Sequence, residues 1–120
     1  MFKYLNLNPL SIEEEDCVTR AIALASGYSY ADIQDKLYYM ARLFDCEELC
    51  VCCYKHLLDD IFDYPRVKAK GRTVGELCED YPEDILLVRI EGHLTCIVHG
   101  VIRDLWDCSG KIADIVWKVA

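Results

Sequence analysis

The stretch Asp16-Cys17-Val18-Thr19-Arg20-Ala21-Ile22-Ala23 decides how the chain is read. An acidic residue is followed by a cysteine and then by small and apolar residues. Aspartate is a favoured N-cap, because its carboxylate accepts the free N–H groups of a first helical turn. That places Cys17 at the head of a helix running to about Ser26, with Gly27 suited to a C-terminal cap. Cys17, Ala21 and Leu24 share one face, and Val18, Ala21, Ile22 and Ala25 an adjoining one, so the helix reads as central and buried. A thiol at a helix head feels the positive end of the helix dipole, which favours its thiolate.

Before this stretch, Met1 to Leu10 reads as an extended lead-in, with Phe2, Tyr4, Leu5, Leu7 and Leu10 as apolar anchors and a turn at Asn8-Pro9. After it, Ser29 and Asp32 resemble an acidic capping box, and Ile33, Leu37, Met40 and Phe44 recur at helical spacing. A second helix is therefore predicted over 30–44. Asp45 stands as the cap of a third helix reaching about Phe62, with Leu49, Cys53, Leu57 and Ile61 as its inner stripe and Asp63-Tyr64-Pro65 as its end. Thr73 and Glu76 form a capping box that opens a short fourth helix, stopped by Pro82.

From Asp84 the period changes. Ile85 to Ile90 is a nearly continuous apolar run and fits a buried strand. Leu94 to Val98 and Val101 to Trp106 flank His99-Gly100, a tight-turn signal, and Ile112 to Val119 reads as a last strand. Helices first and strands afterwards predict a single α+β domain over residues 1–120, its cysteine-bearing helix packed on a C-terminal antiparallel sheet.

Composition narrows the function. With 53% apolar residues, the chain can bury a real core. A net charge of −8 repels phosphate backbones and argues against nucleic-acid binding. The basic cluster Arg66, Lys68, Lys70 and Arg72 reads as a solvated loop. No segment reaches the roughly 18 apolar residues of a membrane span, and Met1 to Leu10 does not resemble an export signal. The expectation is a cytoplasmic protein without a membrane partner, whose eight cysteines stay reduced.

Cys46, Cys50, Cys53 and His56 invite a metal reading. Strung along one helix they would span about 15 Å, whereas zinc holds its ligands at about 2.0–2.3 Å. Packing is the better reading of these cysteines and of Cys52, Cys78 and Cys96, and neither metal nor cofactor is expected.

The hairpin carries the chemistry. If His99-Gly100 is a two-residue loop, Val98 faces Val101, Thr95 faces Asp104 and His93 faces Trp106. His93, Thr95, Asp104 and Trp106 then share one face, and His93 and Asp104 are diagonal neighbours within hydrogen-bonding reach. A helix-head cysteine, a strand-borne histidine and an orienting acid make up the nucleophile, base and orienter of a thiol hydrolase.

Cys17 at the start of a central helix, with His93 and Asp104 later on neighbouring strands, resembles the papain-like cysteine peptidase superfamily. Papain-type enzymes carry Asn-Ser-Trp at the third catalytic position, the Trp shielding the His–Asn contact. Asp104-Leu105-Trp106 has the same spacing with an acid in first place. The combination Asn-Leu-Asn-Pro, Asp-Cys-Val-Thr-Arg-Ala, Gly-His-Leu-Thr and Asp-Leu-Trp-Asp is also similar to small proteins of phages and prophages of Gram-positive bacteria. The resemblance implies a papain-like fold, a Cys17, His93, Asp104 triad, and hydrolysis of a peptide, isopeptide or related amide bond in a peptide or protein substrate, with Asp16 and Trp106 in support. The superfamily usually supplies an oxyanion-hole Gln before the cysteine. None precedes Cys17, so Asn8, with Asn6 behind it, stands as the candidate donor beside the Cys17 backbone N–H. The run Glu13-Glu14-Glu15-Asp16 opposes thiolate formation unless its carboxylates point away. The rival reading keeps the fold without catalysis, as a protein-interaction module, host-directed if phage-encoded.

Overall fold

The computed structural model describes residues 1–12, 15–69 and 71–120. Glu13 and Glu14 of the acidic run and Lys70 of the basic cluster lie outside the described residues. The elements are β1 (Phe2–Tyr4), α1 (Cys17–Ser26), α2 (Tyr30–Phe44), α3 (Val51–His56), a π-helical turn (Leu57–Ile61), β2 (Arg66–Val67), α4 (Val74–Asp80), β3 (Ile85–Ile90), β4 (His93–Val98), β5 (Val101–Asp104) and β6 (Ile115–Lys118). This is an α+β fold around one sheet of order β1-β5-β4-β3-β6-β2.

Strand alternation divides the core in two. Leu87, Leu94, Cys96 and Trp117 pack with Ile22, Ile33, Leu37 and Leu57 from α1, α2 and the π-helical turn. Leu86, Val88, Ile90, Ile97 and Ile102 pack with Val74 and Leu77 of α4 on the other face. A nearly continuous apolar run such as Ile85 to Ile90, interrupted only by Arg89, is what a strand covered on both faces requires. Among the described residues no helix is long and apolar enough to cross a membrane.

The local start signals for α2 and α4 and the stop signal of α1 match the elements that form. Ser29 Oγ accepts from the Asp32 N–H at 3.1 Å, and the Thr73–Glu76 capping box is complete. Gly27 ends α1 with φ +82.

The sequence expectations need five corrections, the first being that β5 stops at Asp104 and not at Trp106. Asp16 stands at the head of α1 but makes no side-chain capping bond, because its carboxylate is spent on other partners. The sheet is mixed and not solely C-terminal: β1 from the N-terminus pairs parallel to β5, and β2 from mid-chain pairs with β6. The last strand is shorter than the 112–119 run. Ile112 forms only an isolated bridge with Thr73 and is 56% exposed.

The third helix is broken. Asp45 takes a left-handed conformation (φ 52, ψ 53) and terminates α2 instead of starting a new helix. Its short polar side chain makes that region accessible. The chain turns, and α3 begins only at Val51. Half the supposed inner stripe faces outward, Leu49 being 43% and Ile61 57% exposed. The break folds Cys46 back beside Cys50, Cys52 and Cys53, so the straight-helix argument against a thiol cluster no longer applies.

Trp117 is the largest fully buried side chain, and its indole N–H donates to Asp59 Oδ1 at 2.7 Å, tying β6 to the π-helical turn. Trp117→Ala removes this packing and is expected to cost about 3–5 kcal/mol. Urea unfolding followed by far-UV circular dichroism measures that loss, and a cost below about 1 kcal/mol would contradict the packing described here.

Candidate active site

The His99-Gly100 turn sets the site. Both residues have positive φ, 50 and 77, as a two-residue hairpin turn of the primed type demands. The register is Val98 to Val101, Ile97 to Ile102 and Cys96 to Arg103, the pairing read from the sequence. Thr95 and Asp104 are therefore opposite, and His93 lies diagonally from Asp104. His93 Nε2 donates to Asp104 Oδ2 at 2.6 Å. With Nε2 committed, Nδ1 is the ring nitrogen left for the hydrogen bond between His93 and Cys17. Cys17 reaches His93 because α1 packs on the Leu94–Cys96 side of β4 with its head where that strand begins. The Leu94 backbone N–H also donates to the sulfur.

The titrations follow from these contacts. Burial opposes the Cys17 thiolate. The hydrogen bonds from His93 and the Leu94 N–H, with the charges of His93 and Arg20, outweigh it and hold the thiol below its ordinary value. Burial likewise opposes the His93 imidazolium, but hydrogen bonds to Asp104 and Cys17 raise it to about 9. Asp104 is 2% exposed, and burial alone would raise its carboxyl. The His93 hydrogen bond leads the contacts that hold it below the usual carboxylate range.

Asp16 and Arg20 form a second tier. Arg20 Nε donates to Asp16 Oδ1 at 2.6 Å, and Arg20 Nη1 to Asp104 Oδ1 at 3.2 Å. Asp16 Oδ2 accepts from Tyr30 Oη at 2.8 Å and from Asn8 Nδ2 at 3.0 Å. Asp16 therefore points away from the thiol, into its own buried partners. Asn8, the candidate oxyanion donor, is 5% exposed, gives its amide to Asp16 and does not line the cleft. Asn6 donates its amide to the Ile12 carbonyl at 2.8 Å.

The thiol opens on a cleft of about 560 Å³, lined on one side by Leu49, Val51 and Tyr54 and on the other by His93, Leu105 and Trp106. That volume suits a small ligand or a short peptide segment. Trp106 stacks obliquely on His93, with ring centroids 5.1 Å apart. Glu15 borders the cleft and is exposed. Arg89, paired with Asp114, and Tyr54 complete its wall. Burial pushes the Tyr54 hydroxyl up to about 12.

Sequence reasoning missed Arg20 and Tyr54. Arg20 sits one helical turn beyond Asp16 and Cys17, a spacing that could have flagged it. Nothing local marks Tyr54, whose place depends on the break before α3. Among the described residues, the group with three possible metal-ligand atoms within 4.8 Å of one another is His93, Asp104 and Cys108. A cation there would lie against the Arg20 guanidinium that already holds Asp104, so this donor set does not fit a metal well. The chain matches no family model, no curated protein and no solved structure.

The lowered thiol and the imidazole raised to about 9 both shift the pair toward thiolate and imidazolium. Burial pushes Cys53 and Cys108 up to about 11 and Cys96 to about 12. At pH 6, iodoacetamide should therefore label Cys17 ahead of these buried thiols, and His93→Ala should abolish the preference. Peptide mass spectrometry reads the order, and uniform slow labelling would contradict the pairing.

Proposed function

We propose that the chain is a papain-like thiol hydrolase acting in the cytoplasm on a peptide, isopeptide or related amide bond. The observation that carries this reading is the meeting of Cys17 and His93 at the wall of an open cleft, with the histidine held at 2.6 Å by the buried Asp104.

The Cys17 thiolate attacks the substrate carbonyl carbon and forms a C–S bond. The oxyanion is met by the Cys17 backbone N–H and by the Tyr54 hydroxyl. The C–N bond breaks as His93 Nδ1 gives its proton to the departing amine, leaving a thioester on Cys17. His93 then takes a proton from water, the hydroxide adds to the thioester, and C–S cleavage restores the thiolate. Asp104 keeps the ring oriented and supports its positive form throughout. Trp106 screens the His93–Asp104 contact from one side.

The test uses p-nitrophenyl acetate first and a panel of fluorogenic peptide amides second. Wild-type protein should show an acylation burst and a thioester on the Cys17 peptide, sensitive to hydroxylamine. Cys17→Ala should show neither while keeping its fold. Asp104→Asn should lower kcat by on the order of 10²–10⁴-fold. Tyr54→Phe should lower it by on the order of 10²–10³-fold with little change in KM. Absence of any Cys17 thioester, together with a biological effect that survives Cys17→Ala, would overturn the enzyme reading in favour of an interaction module.

A further inference from the structure

The buried charges behind the site are arranged in a row. Asp16 precedes α1, Arg20 lies one turn along it, Asp104 ends β5 and His93 begins β4. Each neighbour in the row is bonded to the next, at 2.6, 3.2 and 2.6 Å. Arg20 is only 7% exposed, yet it carries a full charge that no water shell can satisfy. A buried guanidinium is tolerated when its fork is filled by carboxylates, and its planar geometry allows it to serve two at once.

The division of oxygens at Asp104 is specific. Oδ1 accepts from Arg20 Nη1 and from the Leu105 N–H at 2.7 Å, while Oδ2 accepts from His93 Nε2. Two donors on Oδ1 fix the plane of the carboxylate, and that plane aims Oδ2 at the imidazole. We propose that Arg20 is a positioning residue of the thiol site, gripping Asp104 from behind so that its free oxygen holds His93, and that Asp16 acts as the anchor of Arg20 instead of as a helix cap. This deepens the triad reading of the cleft and rests on it.

Charge balance gives the reason for two acids. With Cys17 as thiolate and His93 as imidazolium, the row holds three negative and two positive groups. Without Arg20, two buried carboxylates and a thiolate would share one imidazolium. The favourable response is for Cys17 to keep its proton. The other groups that face this row are Tyr30 from α2 and Asn8 from the lead-in, both on Asp16, with Arg103 of β5 across a small cavity and Glu15 at the cleft mouth. Cys108 also lies beside Asp104.

The test reads Cys17 alone and needs no substrate. The rate of iodoacetamide labelling at Cys17 is measured from pH 4 to 10 in wild type, Arg20→Lys and the double variant Asp16→Asn/Arg20→Met. The double variant removes one orphaned acid along with the guanidinium, and Arg20→Lys keeps a buried charge but can grip only one carboxylate. Both should move the labelling midpoint upward, by about one pH unit or more in the double variant, which slows labelling at pH 6 about tenfold. If the double variant does not fold, Arg20→Lys decides. A purely structural Arg20 would lower the unfolding midpoint and leave the labelling midpoint unmoved, which overturns the proposal. A wild-type midpoint at an ordinary thiol value would instead overturn the triad reading beneath it.

Discussion

Side chains on a strand alternate with period two, so a hairpin slipped by one residue would turn every one of them to the opposite face. The turn at His99-Gly100 forbids that slip. Gly100 has φ +77, and a Cβ there would come within 3.1 Å of the Cys78 carbonyl of α4. The position thus needs glycine twice, for its conformation and for the close approach of α4. Locked in this way, the turn places His93 and Asp104 on one face and sends Leu94 and Cys96 to the other, where α1 packs. The proposed triad is assembled at the end of the sheet, where the head of α1 reaches the first residue of β4. Two independent constraints meet there: strand register sets the imidazole–carboxylate contact, and helix-on-sheet packing brings the sulfur to it.

A site with this many charges in a dry environment needs its own scaffold. Each ion taken out of water costs several kcal/mol unless others compensate. Asp16 and Asp104 meet that demand through Arg20 and a ring of neutral donors, Tyr30, Asn8 and the Leu105 N–H. The N-terminal lead-in gains a purpose from this. Asn8 seals Asp16 from outside, and Phe2–Tyr4 pairs with β5 directly beside Asp104, with the Leu5 N–H donating to the Asp104 carbonyl. The segment that reads least like structure in the sequence thus closes the back of the site.

Much of this was legible, for a physical reason. α1, α2, α4 and the β4–β5 hairpin are each specified by local chemistry: a cap, a period, a turn residue. The pairing of His93 with Asp104 follows from the turn alone. What escaped depends on contacts distant in sequence. A three-residue strand such as β1 has no period to read, and β2 is only two residues long. Asp16 reads as a cap because caps are local, but Arg20, Tyr30 and Asn8 compete for the same carboxylate and win through buried, charge-assisted bonds. Asn8 suits an oxyanion donor by its place shortly before Cys17, but its amide is held by the buried Asp16.

The broken third helix shows how such a misreading bears on function. Leu49, Cys53, Leu57 and Ile61 keep helical spacing across the break, so periodicity could not reveal it. The signal lay in Asp45, which suits a helix start and a left-handed stop equally well, and only packing chooses between them. A continuous helix from 45 to 62 would have carried Leu49 and Tyr54 along one straight rod. The turn after α2 instead swings Leu49 out and sets Val51 and Tyr54 against the head of α1, making the wall of the cleft that faces Cys17. The cleft therefore exists because a helix stops early. Its opposite wall, Leu105 and Trp106, exists because β5 stops at Asp104, short of the strand the sequence suggested. Both walls are element ends, where backbone is released from ladders and can be shaped around a ligand, while Cys17, His93 and Asp104 stay on the rigid elements between them.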